Sequence, residues 1–318
     1  MVGETSGLVR VAPTDAPHIA RIVIDRAERG NAFTVSMCAE LSSALSELEA
    51  NDDVKVIVID PVGPDLSVGL DPAEAGSYHE NVPGMPSERI VSLRARLRAA
   101  GEVFWGRQGL YDRLLNCSKV TVLSAPGRCL DIGLYLVLYC DIAIADESSE
   151  FGSPRWQHVG VDGDVSMLLA TVGRKRANEL MFAGARWSSA QALSAGLVTG
   201  VVPDGKSGGA ALDIAHTVAT IMRDGIAAEK FLTFASTEKM GIGAGFATAT
   251  YMSAMSSAIH FRPGEFNFLR ARRLFGVEEA VRQAEQAKNI DKESLWEFST
   301  VSRYSTSVPP WPRLTPRC

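Results

Sequence analysis

The chain has 318 residues, 46% of them hydrophobic and 22% charged, with a formal net charge of −5. This is the composition of an ordinary globular protein, one large domain or two small ones, and it leaves no basic footprint for nucleic acid or anionic lipid. Five scattered cysteines (Cys38, Cys117, Cys129, Cys140, Cys318) form no CxxC and no Cys/His cluster, which argues against a disulfide framework or a zinc site.

The first sixteen residues are polar and contain proline, and are read as a loose arm. With Asp15, Asp25 and Glu28 and no continuous apolar core, the first thirty residues predict no signal peptide and a cytoplasmic location. His18 to Asp25 reads as a buried strand. Thr34 then caps a helix whose Met37, Leu41, Leu45 and Leu48 recur at spacings of three and four. Val54 to Asp60, rich in β-branched residues, is a second strand, and strand, helix, strand in that order implies a right-handed parallel crossover. Residues 61–87 carry repeated Pro and Gly and are expected to form a long irregular loop, a type that is often functional.

Glu88 to Asn116 follows a helical pattern, and Lys119 to Ser124 is a third strand. Leu134 to Tyr139 suits a buried helix, leading to a fourth strand over Ile142 to Ala145. The apolar stretch 132–145 is interrupted by Asp141 and is too short to span a bilayer. Two helical patterns follow over Met167 to Gly173 and Arg174 to Ala183, then a short helix over Ser188 to Ala195 and a strand over Leu197 to Val202. Gly205 to Gly209 is read as a flexible hinge, and residues 210–288 as almost wholly helical. The tail from Asp291 has four prolines and no periodicity. These patterns divide the chain into an arm (1–16), an α/β core (17–205), a helical region (206–290) and an irregular tail (291–318).

Seven segments, in order, resemble the crotonase (enoyl-CoA hydratase/isomerase) superfamily. Arg26 to Ala32 resembles its "RPxxxNA", and Asp65-Leu-Ser-Val68-Gly69-Leu70-Asp71 its "FSAGAD". Lys119 to Gly127 resembles "KPVIAAVNG", Tyr139 to Ala145 "xCDIRIA", and Phe151-Gly152-Ser153-Pro154 "FGxPE". Gly173 to Gly184, and then Ser189 to Pro203, resemble the family's "VG…A.EL…G…SA.EA…GLV..VVP". The resemblance implies a ClpP-like spiral of ββα units with a helical C-terminal oligomerisation region, assembled as a homotrimer or hexamer. It implies a carbonyl or acyl-CoA substrate, with coenzyme A carried as a thioester and no separate cofactor or metal. It also implies stabilisation of an enolate or oxyanion by two main-chain N–H groups, which by position would be those of Val68 and Ile132.

The sequence departs from the family at the chemistry. Where the family has three glycines, this chain has Asp131, Ile132 and Gly133, and an acidic side chain pointing inward there would oppose an oxyanion. The two hydratase glutamate positions hold Tyr135 and Arg155. Hydration needs a general acid and a general base within reach of one water, so ordinary enoyl-CoA hydratase activity is disfavoured.

One candidate acid follows. Trp156 and Asp164, eight residues apart, resemble the tryptophan and nucleophilic aspartate of the 4-chlorobenzoyl-CoA dehalogenase branch, and Asp164 also resembles the "VPGDG" of the 6-oxocamphor hydrolase branch. The expected catalytic group is therefore Asp164 with His158, Tyr135 and Trp156, with retro-Claisen C–C hydrolysis or isomerisation of a carbonyl substrate as the leading reaction. A dehalogenase- or thioesterase-like acyl-CoA enzyme and a catalytically silent scaffold stand as alternatives. Asn31, Leu70, Arg270 and Arg273 are candidates for CoA or substrate binding. Each has a plainer reading: Asp164 as the cap of the following helix, Asp162 as a turn residue, His158, Trp156 and Tyr135 as packed core, His79 as a loop residue, Asp141 as structural, and the arginines as a solvated helix face.

Overall fold

The structure is a computed structural model that describes residues 7–12, 14–74, 92–156, 163–255 and 265–287. A six-stranded sheet runs in the order β1 (Val9–Ala12), β2 (Ile19–Ile24), β3 (Val56–Pro61), β4 (Val120–Ala125), β6 (Ile142–Asp146) and β9 (Gly200–Val202). All neighbours are parallel except β1, which lies antiparallel to β2 with Val9 opposite Ile24. A smaller sheet joins β5 (Arg128–Leu130), β7 (Glu150–Gly152) and β8 (Trp187–Ser188). The expected strands and crossover are present. The loose arm is not wholly loose, because Val9 to Ala12 finds the free edge of β2.

Alternate residues of a strand point to opposite faces, and β3 shows why the central sheet is apolar on both. Ile57 and Ile59 join the main core with Met37, Leu41, Leu45 and Leu48 of α1 (Val35–Ala50). Val56 and Val58 join a second core with Ala211, Ala215 and Val218 of α7 (Ser207–Ala219). Each fully buried Leu or Met of α1 contributes roughly 1.5–3 kcal/mol. The Thr34 hydroxyl accepts the Met37 N–H at 3.1 Å, the cap read from the sequence.

Between β3 and β4 the helical pattern read over Glu88 to Asn116 is, from Leu93 on, divided into pieces. It forms α2 (Leu93–Ala100), a π-helical turn over Gly101–Trp105, and α3 (Leu110–Asn116). The break places the aromatic rings of Phe104 and Trp105 inward, where both are buried. Next come α4 (Ile132–Tyr139), α5 (Ser166–Phe182) and α6 (Ser189–Ala195), with a non-helical Gly173 inside α5 at φ 74°. Gly205 to Gly209 is not a hinge: the Asp146 carboxylate accepts the Gly205 and Ser207 N–H groups, both at 2.9 Å, and so pins the start of α7. The chain continues through α8 (Arg223–Lys239), α9 (Ile242–Met255), α10 (Phe268–Phe275) and α11 (Val277–Ala287). Asp141 is structural as read, accepting the Thr121 N–H and the Lys230 ammonium at 2.8 and 2.6 Å. The tail from Asp291 and residues His79, His158 and Asp162 lie outside the described residues.

Candidate active site

The stretch from Leu66 to Asp71 threads between two neighbours, and its hydrogen bonds decide which main-chain groups remain for chemistry. Ser67 pairs with β5, its N–H to the Arg128 carbonyl and its carbonyl to the Leu130 N–H, both at 2.9 Å. On the other side the Gly69 carbonyl accepts the Phe33 N–H at 2.8 Å, and the Val68 N–H donates to the Gly30 carbonyl at 2.9 Å. Val68, the first oxyanion donor expected from the sequence, therefore has its N–H engaged within the fold. The amide that faces inward is Leu70, two residues further on, and it meets the Asp131 carboxylate at 3.3 Å. Asn31 is likewise engaged within the fold by its side chain. It is fully buried, and its side chain ties Val62, Asp65 and Arg26 together through main-chain bonds of 2.7–3.0 Å.

The second donor segment is the start of α4. Ile132 is the first residue of that helix, so its N–H has no carbonyl one turn earlier to take it. Asp131 precedes it with φ 52° and ψ −105°, a backbone conformation suited to glycine, which costs another residue about 1–3 kcal/mol. Its side chain does not cap α4. It turns into the site, where Oδ2 meets the Leu70 N–H at 3.3 Å and Arg155 Nη1 at 3.1 Å, and Oδ1 meets Ser153 Oγ at 3.3 Å. Gly69, at φ 107°, makes this possible, because a Cβ there would stand 2.9 Å from that of Asp131. A carboxylate thus stands against the Leu70 N–H.

These residues line a cavity with room for about one water molecule, roughly 20 Å³ open to a water's centre. Leu70, Asp131, Ile132 and Tyr135 contribute from the two donor segments and Arg155 from the turn after β7, and the rings of Trp105 and Tyr111 also line it. Among the described residues that line it, Asp131 is the one carboxylate. Tyr135 and Arg155, the residues at the two hydratase glutamate positions, both face it. The aromatic wall is continuous: Trp105 lies 4.9 Å edge-on to Tyr135 and 4.5 Å from Tyr111, with Tyr139 stacked behind Tyr111 at 5.3 Å.

Asp164, expected to face the cavity, lies behind that wall. Its carboxylate accepts the Ser166 and Met167 N–H groups at the start of α5, at 2.9 and 3.2 Å, and the Tyr139 hydroxyl at 2.8 Å. The plainer reading, a helix cap, describes its bonding. Burial first, and then the Asp164 charge, hold the Tyr139 hydroxyl well above its ordinary value, so it stays protonated and donating. Trp156 packs edge-on to Tyr135 at 6.1 Å and is buried, but does not line the cavity. Arg270 and Arg273 sit exposed on α10 and do not line the cavity. The sequence brought Ile132, Tyr135 and Leu70 to the cavity. It missed Asp131 and Arg155 as a facing pair, although both positions stand out as departures from the family pattern.

A parallel βα core thus brings the Leu70 main chain and the start of α4 to one cavity. The family model for enoyl-CoA hydratase/isomerase matches residues 15–273, and the chain belongs to that family. Among curated relatives, it is 27% identical to the putative enoyl-CoA hydratase EchA13 of Mycobacterium tuberculosis, over 67% of this chain and 69% of that protein. It is 26% identical to the mevalonyl-coenzyme A hydratase sidH of Aspergillus fumigatus, over 66% of this chain and 72% of that one. The crystal structure of an enoyl-CoA hydratase/isomerase from Xanthobacter autotrophicus Py2 superposes with a TM-score of 0.70 at 25% identity, covering 88% of this chain and 98% of that one. Among the described residues no helix is long and apolar enough to cross a membrane.

Proposed function

We propose that this chain acts on a carbonyl substrate, an acyl-CoA thioester in the first instance, by moving a proton through an enolate rather than by adding water. The observation that carries the reading is the cavity's polar set: main-chain N–H groups from Leu70 and Ile132, one carboxylate, and Tyr135 and Arg155 where a hydratase has its two acids. Hydration needs two proton-transferring groups and a positioned water. Isomerisation of a β,γ-unsaturated carbonyl compound to its conjugated isomer needs one base that takes and returns a proton, and two donors for the oxygen where charge collects. One carboxylate among the described residues lining the cavity suffices for a reaction that returns the proton it takes, which favours isomerisation over retro-Claisen hydrolysis.

The test is a paired assay. Purified protein is given 3-butenoyl-CoA, and separately crotonyl-CoA, with conjugation and hydration followed by absorbance and mass spectrometry. The reading expects conversion of the first to crotonyl-CoA and no water added to the second. Hydration of crotonyl-CoA with the other substrate untouched would overturn it. A second reading, binding without turnover, is favoured by the carboxylate already seated against the Leu70 N–H; it predicts that acyl-CoA raises the melting temperature while neither substrate changes. The exposed Phe182, Phe231 and Leu232 support the trimer or hexamer that the family resemblance implies, which light scattering would check.

A further inference from the structure

We infer that Asp131 is the proton-transferring base of this site and that at rest its carboxylate fills the oxyanion position it must vacate for substrate. The inference rests on the enolate reading above and adds the residue that performs it. Four observations converge on it. Asp131 is the one carboxylate among the described residues lining the cavity, and its side chain is only 4% exposed. Its backbone holds a left-handed conformation at φ 52° without the glycine that would relax it, and such strain concentrates at functional sites. Its side chain gives no cap to its own helix. Its contacts to Leu70 and Ser153, at 3.3 Å each, lie beyond the usual 2.7–3.2 Å range for N–H donors and 2.5–3.0 Å for hydroxyl donors, so they hold it loosely.

The step balances without a co-reactant. A substrate carbonyl oxygen takes the Leu70 and Ile132 N–H groups, and the carboxylate rotates off Leu70 to the substrate carbon next to that carbonyl. Asp131 removes a proton from that carbon. The electron pair of the broken C–H bond forms a C=C bond, and the carbonyl π electrons move to the oxygen, giving a dienolate. Protonated Asp131 returns the proton to the γ carbon, the oxygen's charge collapses back to C=O, and the double bond has moved by one position. Arg155, 3.1 Å from Asp131 and partly exposed, is a positioning residue that holds the carboxylate at the cavity.

The experiment follows loss of the α protons of 3-butenoyl-CoA and butyryl-CoA in D₂O by NMR, for the full chain and for Asp131→Asn and Asp131→Gly. Wild type should exchange and isomerise; Asp131→Asn should lose both by about 10²–10⁴-fold, the usual worth of a general base, while still binding butyryl-CoA. Asp131→Gly fits the backbone, so it stays folded and empties the carboxylate's space, and added formate should restore part of the exchange. Exchange by Asp131→Asn and by Asp131→Gly without formate, each within threefold of wild type, would remove Asp131 from the chemistry and leave the enolate reading intact. A wild type that neither exchanges nor isomerises would overturn both. A separate readout isolates Arg155: Arg155→Gln should lower kcat for exchange about tenfold while leaving KM for the thioester within a few-fold, with Arg155→Lys restoring part of it, and an unchanged kcat would remove its positioning role.

Discussion

Replacing Asp164 with alanine tests whether that carboxylate holds the fold together. In the structure Asp164 accepts two N–H groups at the head of α5 and the Tyr139 hydroxyl, at 2.9, 3.2 and 2.8 Å. Loss of a helix cap costs about 1 kcal/mol. A stranded buried hydroxyl adds about 1–3 kcal/mol, and Tyr139 is only 2% exposed. The sum is roughly 3 kcal/mol, and at about 2 °C per kcal/mol for a chain of this size the melting temperature should fall by about 6 °C. Asp164→Asn keeps a capping oxygen and should lose under about 1 kcal/mol. In Asp164→Ala/Tyr139→Phe the hydroxyl is gone, so the double variant should be more stable than the sum of single losses implies, by a coupling of about 1–2 kcal/mol. Calorimetry on the four proteins measures this. An Asp164→Ala melting temperature equal to wild type would refute the capping role. Abolished turnover in a fully stable Asp164→Asn would return the acid to the chemistry.

Three further predictions follow from the same geometry. Gly69→Ala puts a side chain at φ 107° and a Cβ 2.9 Å from that of Asp131, so it should destabilise by about 1–3 kcal/mol and lower turnover, measured by denaturant melts and the isomerase assay. Asp65 is pushed up by burial, but its hydrogen bonds to Arg128 outweigh this and hold its carboxyl below the ordinary 3.8. That stabilisation is complete above the unfolded value and lost as pH falls through the folded one, so below about pH 4 the stability of wild type should fall more steeply than that of Asp65→Asn. Cys38, Cys117, Cys129 and Cys140 are buried, and burial raises the Cys117 thiol to about 11, so a thiol reagent at neutral pH should label these four only on unfolding.

Most of the fold was legible in the sequence because it rests on local patterns. The β-branched run of β3, the Thr34 cap and the three-four spacing on α1 each state their element within a dozen residues. The second sheet was not legible, because β5, β7 and β8 have only two or three residues each, and their pairing is long-range, as in Arg128 opposite Glu150. The break at Gly101 to Trp105 escaped for a similar reason: the apolar spacing of the region continues through it, and only packing against Tyr111 and Tyr135 shows which rings turn inward.

The site divided along the same line. Ile132 and Tyr135 were found because their positions follow a motif. Leu70 was marked for binding and Val68 for the oxyanion, and the two roles separate only when the Gly30 carbonyl is seen to take the Val68 N–H. Asp164 misled because an aspartate before a helix serves equally as cap or acid, and its bond to Tyr139, twenty-five positions back, is invisible in sequence. Asp131 was read as an obstacle to an oxyanion if it pointed inward. It does point inward, and the ion pair with Arg155 shows that these two departures from the family pattern compensate one another.

A crystal structure of the full chain soaked with butyryl-CoA would test the central claim most directly. The account predicts the thioester oxygen at about 2.7–3.2 Å from the Leu70 and Ile132 nitrogens, with the Asp131 carboxylate swung off Leu70 toward the carbon beside the carbonyl. A thioester bound elsewhere, with Asp131 still against Leu70 and Arg155, would contradict it.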